Sequence, residues 1–423
     1  MGYSTLVVGG GGREHALAWR LAHSPSVERV ETAPGNPGTA ALGPRHEVDP
    51  QDPVAVADLA EERGSDLVVV GPEAPLVAGV VDELARRGIA AFGPTAAAAR
   101  IEGSKAFAKE IMDAAGVATA GYVATGDPDE ARAALERFDP PYVVKADGLA
   151  AGKGVLICSS LDEARRAVDE VLVQRAFGEA GDGLIVEEYL RGPERSVFGV
   201  CDGQDVALLA PAQDYKRAYD GDEGPNTGGM GAFTPVPGFG LDDVDQLRGS
   251  IFLPVLCELA GRGAPFRGLL YAGLVDTADG PRVLEFNARF GDPETQVILP
   301  HLASDLGDLL MASATGSVRD AEVSWHDGAV VTVVLASGGY PGEYEKGIAI
   351  TGVGRAEERT GVEVFHAGTR RDDEGTLRTA GGRVLNVTAR GAGIDEARAL
   401  AYAAADDIGF EGRMLRADIA AGV

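Results

Sequence analysis

Apolar residues along this chain fall into short runs of strand length, separated by glycine-rich turns and by stretches in which apolar positions recur at helical spacing. Thr5–Val8, Val27–Thr32, Asp66–Val70 and Ala90–Phe92 are four such runs. They lead into Gly9-Gly10-Gly11-Gly12, Pro34-Gly35-Asn36-Pro37-Gly38, Gly71-Pro72-Glu73 and Gly93-Pro94-Thr95. Helical spacing follows the first turn at Arg13–Trp19 and the third from Glu73 to about Arg87. Strands that alternate with helices and end in glycine turns predict an α/β protein. It should open with a doubly wound parallel sheet that takes its ligand at the carboxyl edge of the strands.

The pattern then changes. Ser104 can cap a helix that starts at Lys105 and is stopped by Gly116. From about Thr119 to Leu190 a small α+β unit is expected. Its strands are Tyr142–Val144, Val155–Ile157 and Leu184–Val186, with a helix over Asp162–Val173. Gln213 to Gly231 reads as a long glycine-rich functional loop. A helix near Asp242–Leu259 follows, then a strand pair, Gly268–Val275 and Pro281–Phe286. The last stretch predicts strands over Val330–Leu335, Val362–Ala367 and Gly382–Thr388 and a helix over Ile394–Asp407, with packing and no chemistry. At ~150 residues per domain, 423 residues suggest three units. We place them at 1–102, 103–328 with an inserted subdomain over about 119–190, and a small α+β unit at 329–423.

Composition narrows the function. With 65 acidic against 38 basic residues the net charge is −27, spread along the chain, and no segment is basic enough to face nucleic acid. No apolar run approaches the ~20 residues that cross a bilayer, and the start lacks the pattern of a secretion signal. A cytoplasmic monomer without membrane or nucleic-acid partners is expected. Cys158, Cys201 and Cys257 sit in apolar runs and read as reduced, buried thiols. His15, His23 and His46 have no metal-ligand spacing and read as capping or surface residues.

The acidic excess points either to a surface adapted to concentrated salt or to a GC-rich genome. In the first case mutual repulsion is screened as the Debye length falls from ~30 Å at 0.01 M to ~3 Å at 1 M salt. Thermal melts should then rise between dilute buffer and molar KCl, with activity retained; a flat or falling melt with lost activity assigns the composition to the genome.

Only six lysines occur, at 105, 109, 145, 153, 216 and 346, so a lysine is a choice against an arginine background. Lys145 and Lys153 flank a turn opened by Gly148, Gly152 and Gly154 between two strands. Two ammonium groups and several free N–H donors around one volume suit a polyphosphate. This is not a P-loop, because Gly148 to Gly152 is one residue short and a strand follows where a helix is required. The Gly9–Gly12 turn could hold a phosphate at a helix N-terminus, although Glu14 stands where a dinucleotide fingerprint needs glycine. The strand end Glu187-Glu188-Tyr189-Leu190 can receive an adenine edge on main-chain groups, and Glu194 can accept from ribose hydroxyls. Period two puts Glu285, Asn287 and Arg289 on one face. Glu285 and Asn287 then make an oxygen-only half-site for Mg²⁺ that leaves positions for phosphates.

Six segments carry a resemblance over almost the whole chain: GGREHALAW at Gly11–Trp19, VGPEAPLVAGVVD at Val70–Asp82, EGSKAF at Glu102–Phe107, KADGLAAGKGV at Lys145–Val155, GPNTGGMGA at Gly224–Ala232 and EFNARFGDPETQ at Glu285–Gln296. On these the chain resembles the phosphoribosylamine–glycine ligases of purine synthesis, a family of the ATP-grasp superfamily. The resemblance implies an ATP-grasp core with a hinged lid between the N-terminal and C-terminal domains. Its substrates would be ATP, glycine and 5-phosphoribosylamine, with Mg²⁺ or Mn²⁺. It puts ATP phosphates on Lys105 and Lys145 under the loop Asp147–Gly154, which includes Gly148, Gly152, Lys153 and Gly154. Adenine falls on Glu187 to Leu190, ribose on Glu194 and the metal on Glu285 and Asn287. Arg289 would steady the transferring phosphoryl group. Gly9, Gly11, Gly12, Gly71, Pro72 and Glu73 are candidates for the ribose phosphate and hydroxyls. Asp214 and Lys216 are candidates for the substrate amine and carboxylate or phosphate. Gly10 departs from the pattern, where Asn or Ser is expected, and implies a missing side-chain contact.

A related ATP-grasp carboxylase or carboxylate–amine ligase would share Lys105, Lys145, Glu285 and Asn287 but not GPNTGGMGA or the GPEAPLV turn. A nucleotide-binding regulator would have lost part of the catalytic set, all of which is present here.

Overall fold

A computed structural model describes residues 2–149 and 154–423. Its first 92 residues build a four-stranded parallel sheet in the spatial order Val27–Pro34, Tyr3–Gly9, Leu67–Val70, Ala90–Phe92. Alternate residues of the first strand enter different cores, as a strand buried on both faces requires. Leu6 and Val8 pack with Val56, Ala57 and Leu84 from the helices Pro53–Arg63 and Val80–Arg86. Val7 packs with Ala16, Leu17 and Leu21 from the helix Gly12–Ala22. The doubly wound expectation holds. The helix predicted from Glu73 to Arg87 is two pieces, Glu73–Val77 and Val80–Arg86, because Gly79 takes a left-handed conformation at φ +89°.

Three further sheets follow. An antiparallel sheet in the order Val206–Leu208, Glu194–Asp202, Arg267–Thr277, Gly280–Asn287 shares its apolar residues with both cores of the first unit. The inserted unit has its own sheet, Tyr122–Thr125, Leu184–Glu187, Tyr142–Ala146, Val155–Cys158, and its own core around Leu135, Val144 and Val168. Its predicted helix runs as α-helix over Leu161–Val168 and then widens into a π turn over Asp169–Val173.

The last sheet is ordered Gln213–Asp214, Gly231–Thr234, Ala329–Ala336, Arg383–Gly391, Val362–His366, with the helix Ile394–Ala405 packed on it. One of its strands, Gln213–Asp214, therefore comes from the stretch read as a loop, and a second, Gly231–Thr234, starts at that stretch's last residue. Between them stands a hairpin, Arg217–Tyr219 with Glu223–Asn226. These strands are two to four residues long, and EGPN carries no apolar alternation to reveal them.

Two expectations need correction. Cys257 is exposed: its apolar run is the helix Leu253–Gly261, whose turn buries Leu256 and Leu259 and puts Cys257 outside. His15 is buried, accepts the His366 N–H on Nδ1 at 2.8 Å, and has its pKa pushed down to about 3 by burial and then by His366. Gly10 makes no side-chain contact, and a Cβ there would lie 2.7 Å from the Gly35 carbonyl oxygen, so the turn is closed by backbone approach.

Candidate active site

The antiparallel sheet, the inserted unit, the helix Lys105–Ala115 and the C-terminal sheet surround a cavity of about 410 Å³. Its apolar lining comes from Ile101, Ala108, Met112, Ile185, Leu284 and Phe286. The lining is also cationic. Four of the six lysines, Lys105, Lys109, Lys145 and Lys216, line the cavity, and Lys109 was missed by sequence reasoning because it lies inside an ordinary amphipathic helix.

Each lysine is held by local chemistry. The Asp147 carboxylate accepts from the Ala106 N–H at 2.7 Å and the Ser104 hydroxyl at 3.1 Å, and its carbonyl accepts the Lys105 N–H at 3.0 Å. Asp147 thus fixes the first turn of the helix that presents Lys105, whose ammonium donates to the Gly148 carbonyl at 3.1 Å. Glu187 is buried between two ammonium groups. One of its oxygens pairs with Lys145 and the other with Lys109 at 2.9 Å. Lys109 also donates to Thr119 Oγ1 at 2.7 Å. Burial is the largest influence on Lys145 and favours the neutral amine, but Glu187 and Glu285 outweigh it and hold its pKa above the usual range. Burial pushes Lys105 and Lys109 down.

Glu285 and Asn287 line the cavity beside these lysines, as the strand period requires. Among the described residues no cluster of three or more His, Cys, Asp or Glu side chains could hold a metal ion by itself. A carboxylate and an amide oxygen facing a polyphosphate-sized cavity suit a hard divalent cation whose other ligands are phosphates and water. Arg289 donates to Glu102 at 2.8 Å, Glu73 at 3.4 Å and the Asn287 side-chain oxygen at 3.2 Å. Burial opposes its charge, but Glu102 and Glu73 hold it firmly protonated.

Further polar groups line the cavity around Lys216. Lys216 bridges Asp214 at 2.9 Å and Glu194 at 3.1 Å. Beside them the Tyr271 hydroxyl, paired with Ser196 Oγ at 2.7 Å, donates to the buried Glu294 carboxylate at 2.8 Å. Two lining residues come from the C-terminal region, which corrects the expectation that it only packs. The Tyr340 hydroxyl accepts the Gly228 N–H at 3.2 Å, and Arg383 donates to the carbonyls of Gly228 at 2.5 Å and Asp292 at 2.6 Å. The sole sequence signal for either was an aromatic inside the turn Gly338–Gly342.

Other predicted residues stand elsewhere. Gly11 donates its N–H to Glu14 at 2.6 Å, and a Cβ at Gly9 or Gly71 would lie 2.6 or 2.3 Å from the Glu14 side chain. A Cβ at Gly12 would lie 2.4 Å from Asn386 Nδ2. These glycines admit Glu14 and Asn386, and it is Arg13 and Glu73, the latter next to Pro72, that line the cavity. The Glu188 N–H is spent on the Gly121 carbonyl at 2.8 Å, Tyr189 is half-exposed under Arg191, and Leu190 packs with Ala120 and Val275. Gly154 lines the cavity, and a Cβ at Gly148 would lie 2.7 Å from Ala180 Cα. Gly152 and Lys153 lie outside the described residues.

Known proteins resemble the chain over nearly its whole length. Residues 3–102, 103–295 and 330–422 match the N domain, the ATP-grasp (A) domain and the C domain of phosphoribosylglycinamide synthetase. The phosphoribosylamine–glycine ligase of Streptomyces coelicolor is 53% identical over 420 residues, covering 98% of each chain. That of Phenylobacterium zucineum is 49% identical with the same coverage. The crystal structure of the Thermotoga maritima phosphoribosylamine–glycine ligase superposes with a TM-score of 0.83 at 34% identity, over 98% of this chain and 100% of that one. At 17% identity, the biotin carboxylase domain of Hydrogenobacter thermophilus 2-oxoglutarate carboxylase shares the fold with a TM-score of 0.72, over 98% and 92%. With all three domain profiles matched in order and relatives near half identity along its length, the chain belongs to the phosphoribosylglycinamide synthetase family.

Proposed function

We infer that this chain is an ATP-dependent ligase that joins glycine to 5-phosphoribosylamine and releases ADP and phosphate, a step of purine synthesis. The observation that carries the reading is the convergence on one cavity of Lys105, Lys145, Glu285, Asn287 and Arg289, together with apolar side chains such as Met112, Leu284 and Phe286. We place adenine against Met112, Leu284 and Phe286, which line the cavity, with its edge toward the chain that leaves the strand Leu184–Glu187. Ribose lies toward Glu194, and Lys105 and Lys145 take the phosphates. Glu285 and Asn287 would hold Mg²⁺ or Mn²⁺, which when bound neutralises phosphate charge.

Glycine's carboxylate attacks the γ-phosphorus, forming glycyl phosphate as the bond to ADP breaks. The phosphoribosylamine nitrogen then attacks the acyl carbon and expels phosphate. The residues contribute alignment and charge: Arg289, locked by Glu73 and Glu102, presents a fixed cation to the phosphoryl oxygens. We place the ribose phosphate near Arg13 and Arg383, with Tyr340 and Gly228 beside them.

ADP formation tests the reaction: it should require glycine and phosphoribosylamine together, and release with another carboxylate alone would reject it. The phosphate placement predicts that Arg383→Ala raises KM for phosphoribosylamine about tenfold or more, the usual scale for losing a charge-assisted contact. KM for ATP should stay unchanged; steady-state kinetics with each substrate varied checks both.

A further inference from the structure

The hairpin formed by Arg217–Tyr219 and Glu223–Asn226 has almost no core of its own. Of the described residues 217–226, Ala218 alone is buried. On one side Arg217 and Asn226 face a cleft of about 290 Å³, whose opposite wall is the inserted unit's edge strand Val155–Cys158. A two-stranded hairpin is marginal by itself in water, so another part of the chain must hold this one. Its two ends reach the cavity. Lys216 and Thr227 are joined there, the Lys216 carbonyl accepting the Thr227 N–H and hydroxyl, each at 2.8 Å, and both residues line the cavity with Gly228.

The end of the chain supplies the hold. Arg416 is 1% exposed, and its guanidinium forks onto Asp418 through Nε and Nη2, each at 2.7 Å. Nη1 donates to the Asp222 carboxylate at 2.7 Å and to the Arg217 carbonyl at 3.2 Å, and Cζ lies 4.8 Å from the centre of the Tyr215 ring. The flanking residues add to this. The Ala417 N–H donates to Asp220 at 2.7 Å, the Gly221 N–H to Asp418 at 2.8 Å and the Ala420 N–H to the Tyr215 hydroxyl at 2.9 Å. The tail is in turn fixed to the C-terminal core, where Ile419 and Ala420 are buried and the Tyr402 hydroxyl donates to the Arg416 carbonyl at 2.7 Å. Apolar groups fill a core as well as a buried ion pair does or better, so an arginine forked between carboxylates sets geometry more than it adds stability.

Resting on the ligase reading above, we propose that Arg416 is a positioning residue for the reaction: from outside the cavity it holds the hairpin in register, and through the hairpin it places Lys216, Thr227 and Gly228. Gly228 stands beside the position given above to the ribose phosphate, so phosphoribosylamine is the substrate affected.

R416M should raise KM for phosphoribosylamine about tenfold or more and leave KM for ATP within about twofold, since small displacements from a distant change weaken alignment steeply. A merely stabilising residue gives a different result. Its loss reduces the amount of folded enzyme and so the apparent kcat, and leaves both KM values unmoved. R416K keeps the charge but cannot fork onto two carboxylates, so its KM should fall between those of R416M and the unaltered chain. Amide hydrogen exchange of the full chain, read by mass spectrometry, follows the hairpin itself: in R416M residues 217–226 should exchange about tenfold faster or more, while the strand Ala329–Ala336 keeps its rate. If R416M does not fold, D222G takes its place with the same two readouts, because glycine keeps the left-handed backbone at φ +55° and removes the hairpin carboxylate that Arg416 grips. No ADP formation by the unaltered chain with glycine and phosphoribosylamine overturns the ligase reading, and this role with it. With that activity present, an unchanged KM for phosphoribosylamine in R416M (or, in its place, D222G), or hairpin exchange that is not accelerated, leaves the ligase reading standing and overturns the positioning role.

Discussion

Glu285→Ala and Asn287→Ala are each expected to lower kcat by about a thousandfold or more, while the thermal melt stays close to that of the unaltered chain. Each removes one of two hard oxygens from a site that must neutralise a phosphoryl group in transit, and transition-state charge stabilisation of this kind is worth several kcal/mol. Both side chains are only half-buried, so neither loss opens a core cavity. Asn287 also accepts from Arg289 at 3.2 Å, and its loss frees the guanidinium on that side. Asn287→Asp, which keeps an oxygen, should therefore be less harmful than Asn287→Ala. Turnover at saturating Mg²⁺ beside a melting curve separates the outcomes: folded variants with unaltered rates would remove the metal assignment.

The largest effect on stability is expected at Glu187. Its carboxylate is 2% exposed and stands between Lys145 and Lys109, so Glu187→Ala leaves two buried ammonium groups without their counterion. Breaking a buried pair from one side costs about 3–5 kcal/mol, which urea unfolding would resolve. Burial acts to raise the Glu187 pKa, but Lys145 and Lys109 hold it below its usual 4.5. Its contribution is therefore present above that pH and fades as acid titrates the carboxylate through its lower folded value. A loss under ~1 kcal/mol, the level of a surface ion pair, would mean that the lysines are solvated from the cavity and that Glu187 does not anchor them.

Glu187 also shows where reading the sequence stops. Its position at a strand end was legible, and so was Lys145, because lysine is rare here and this one flanks a glycine turn; Lys109, inside an ordinary amphipathic helix, was not. That its carboxylate is the counterion of both follows only from the register that sets Lys145 across from Ile185 and Val143 across from Glu187. The parallel strands of the first unit were legible because both faces are buried and every residue of Leu67–Val70 is apolar. The strands Gln213–Asp214 and Gly231–Thr234 were not: they pair with each other, and Gly231–Thr234 enters the sheet against Ala329–Ala336, about a hundred residues away, which pairs in turn with Arg383–Gly391. The same pairing carries the C-terminal region to the cavity. Arg383 and Tyr340 thus became visible only with the tertiary structure. Glu14 is the reverse case: its departure from a dinucleotide fingerprint was plain in the sequence, and the structure supplies the reason. Gly9, Gly11 and Gly71 leave room for its side chain, which takes the N–H of Gly11 itself.

The central claim is that glycine's carboxylate is activated by direct phosphorylation. Glycine labelled with heavy oxygen in its carboxylate tests this most directly, by mass analysis of the phosphate released with ATP and phosphoribosylamine present. Attack of the carboxylate on the γ-phosphorus, followed by displacement at the acyl carbon, must carry one glycine oxygen into each phosphate. Phosphate bearing one heavy oxygen per molecule is the predicted result; unlabelled phosphate formed alongside the amide product would contradict the account.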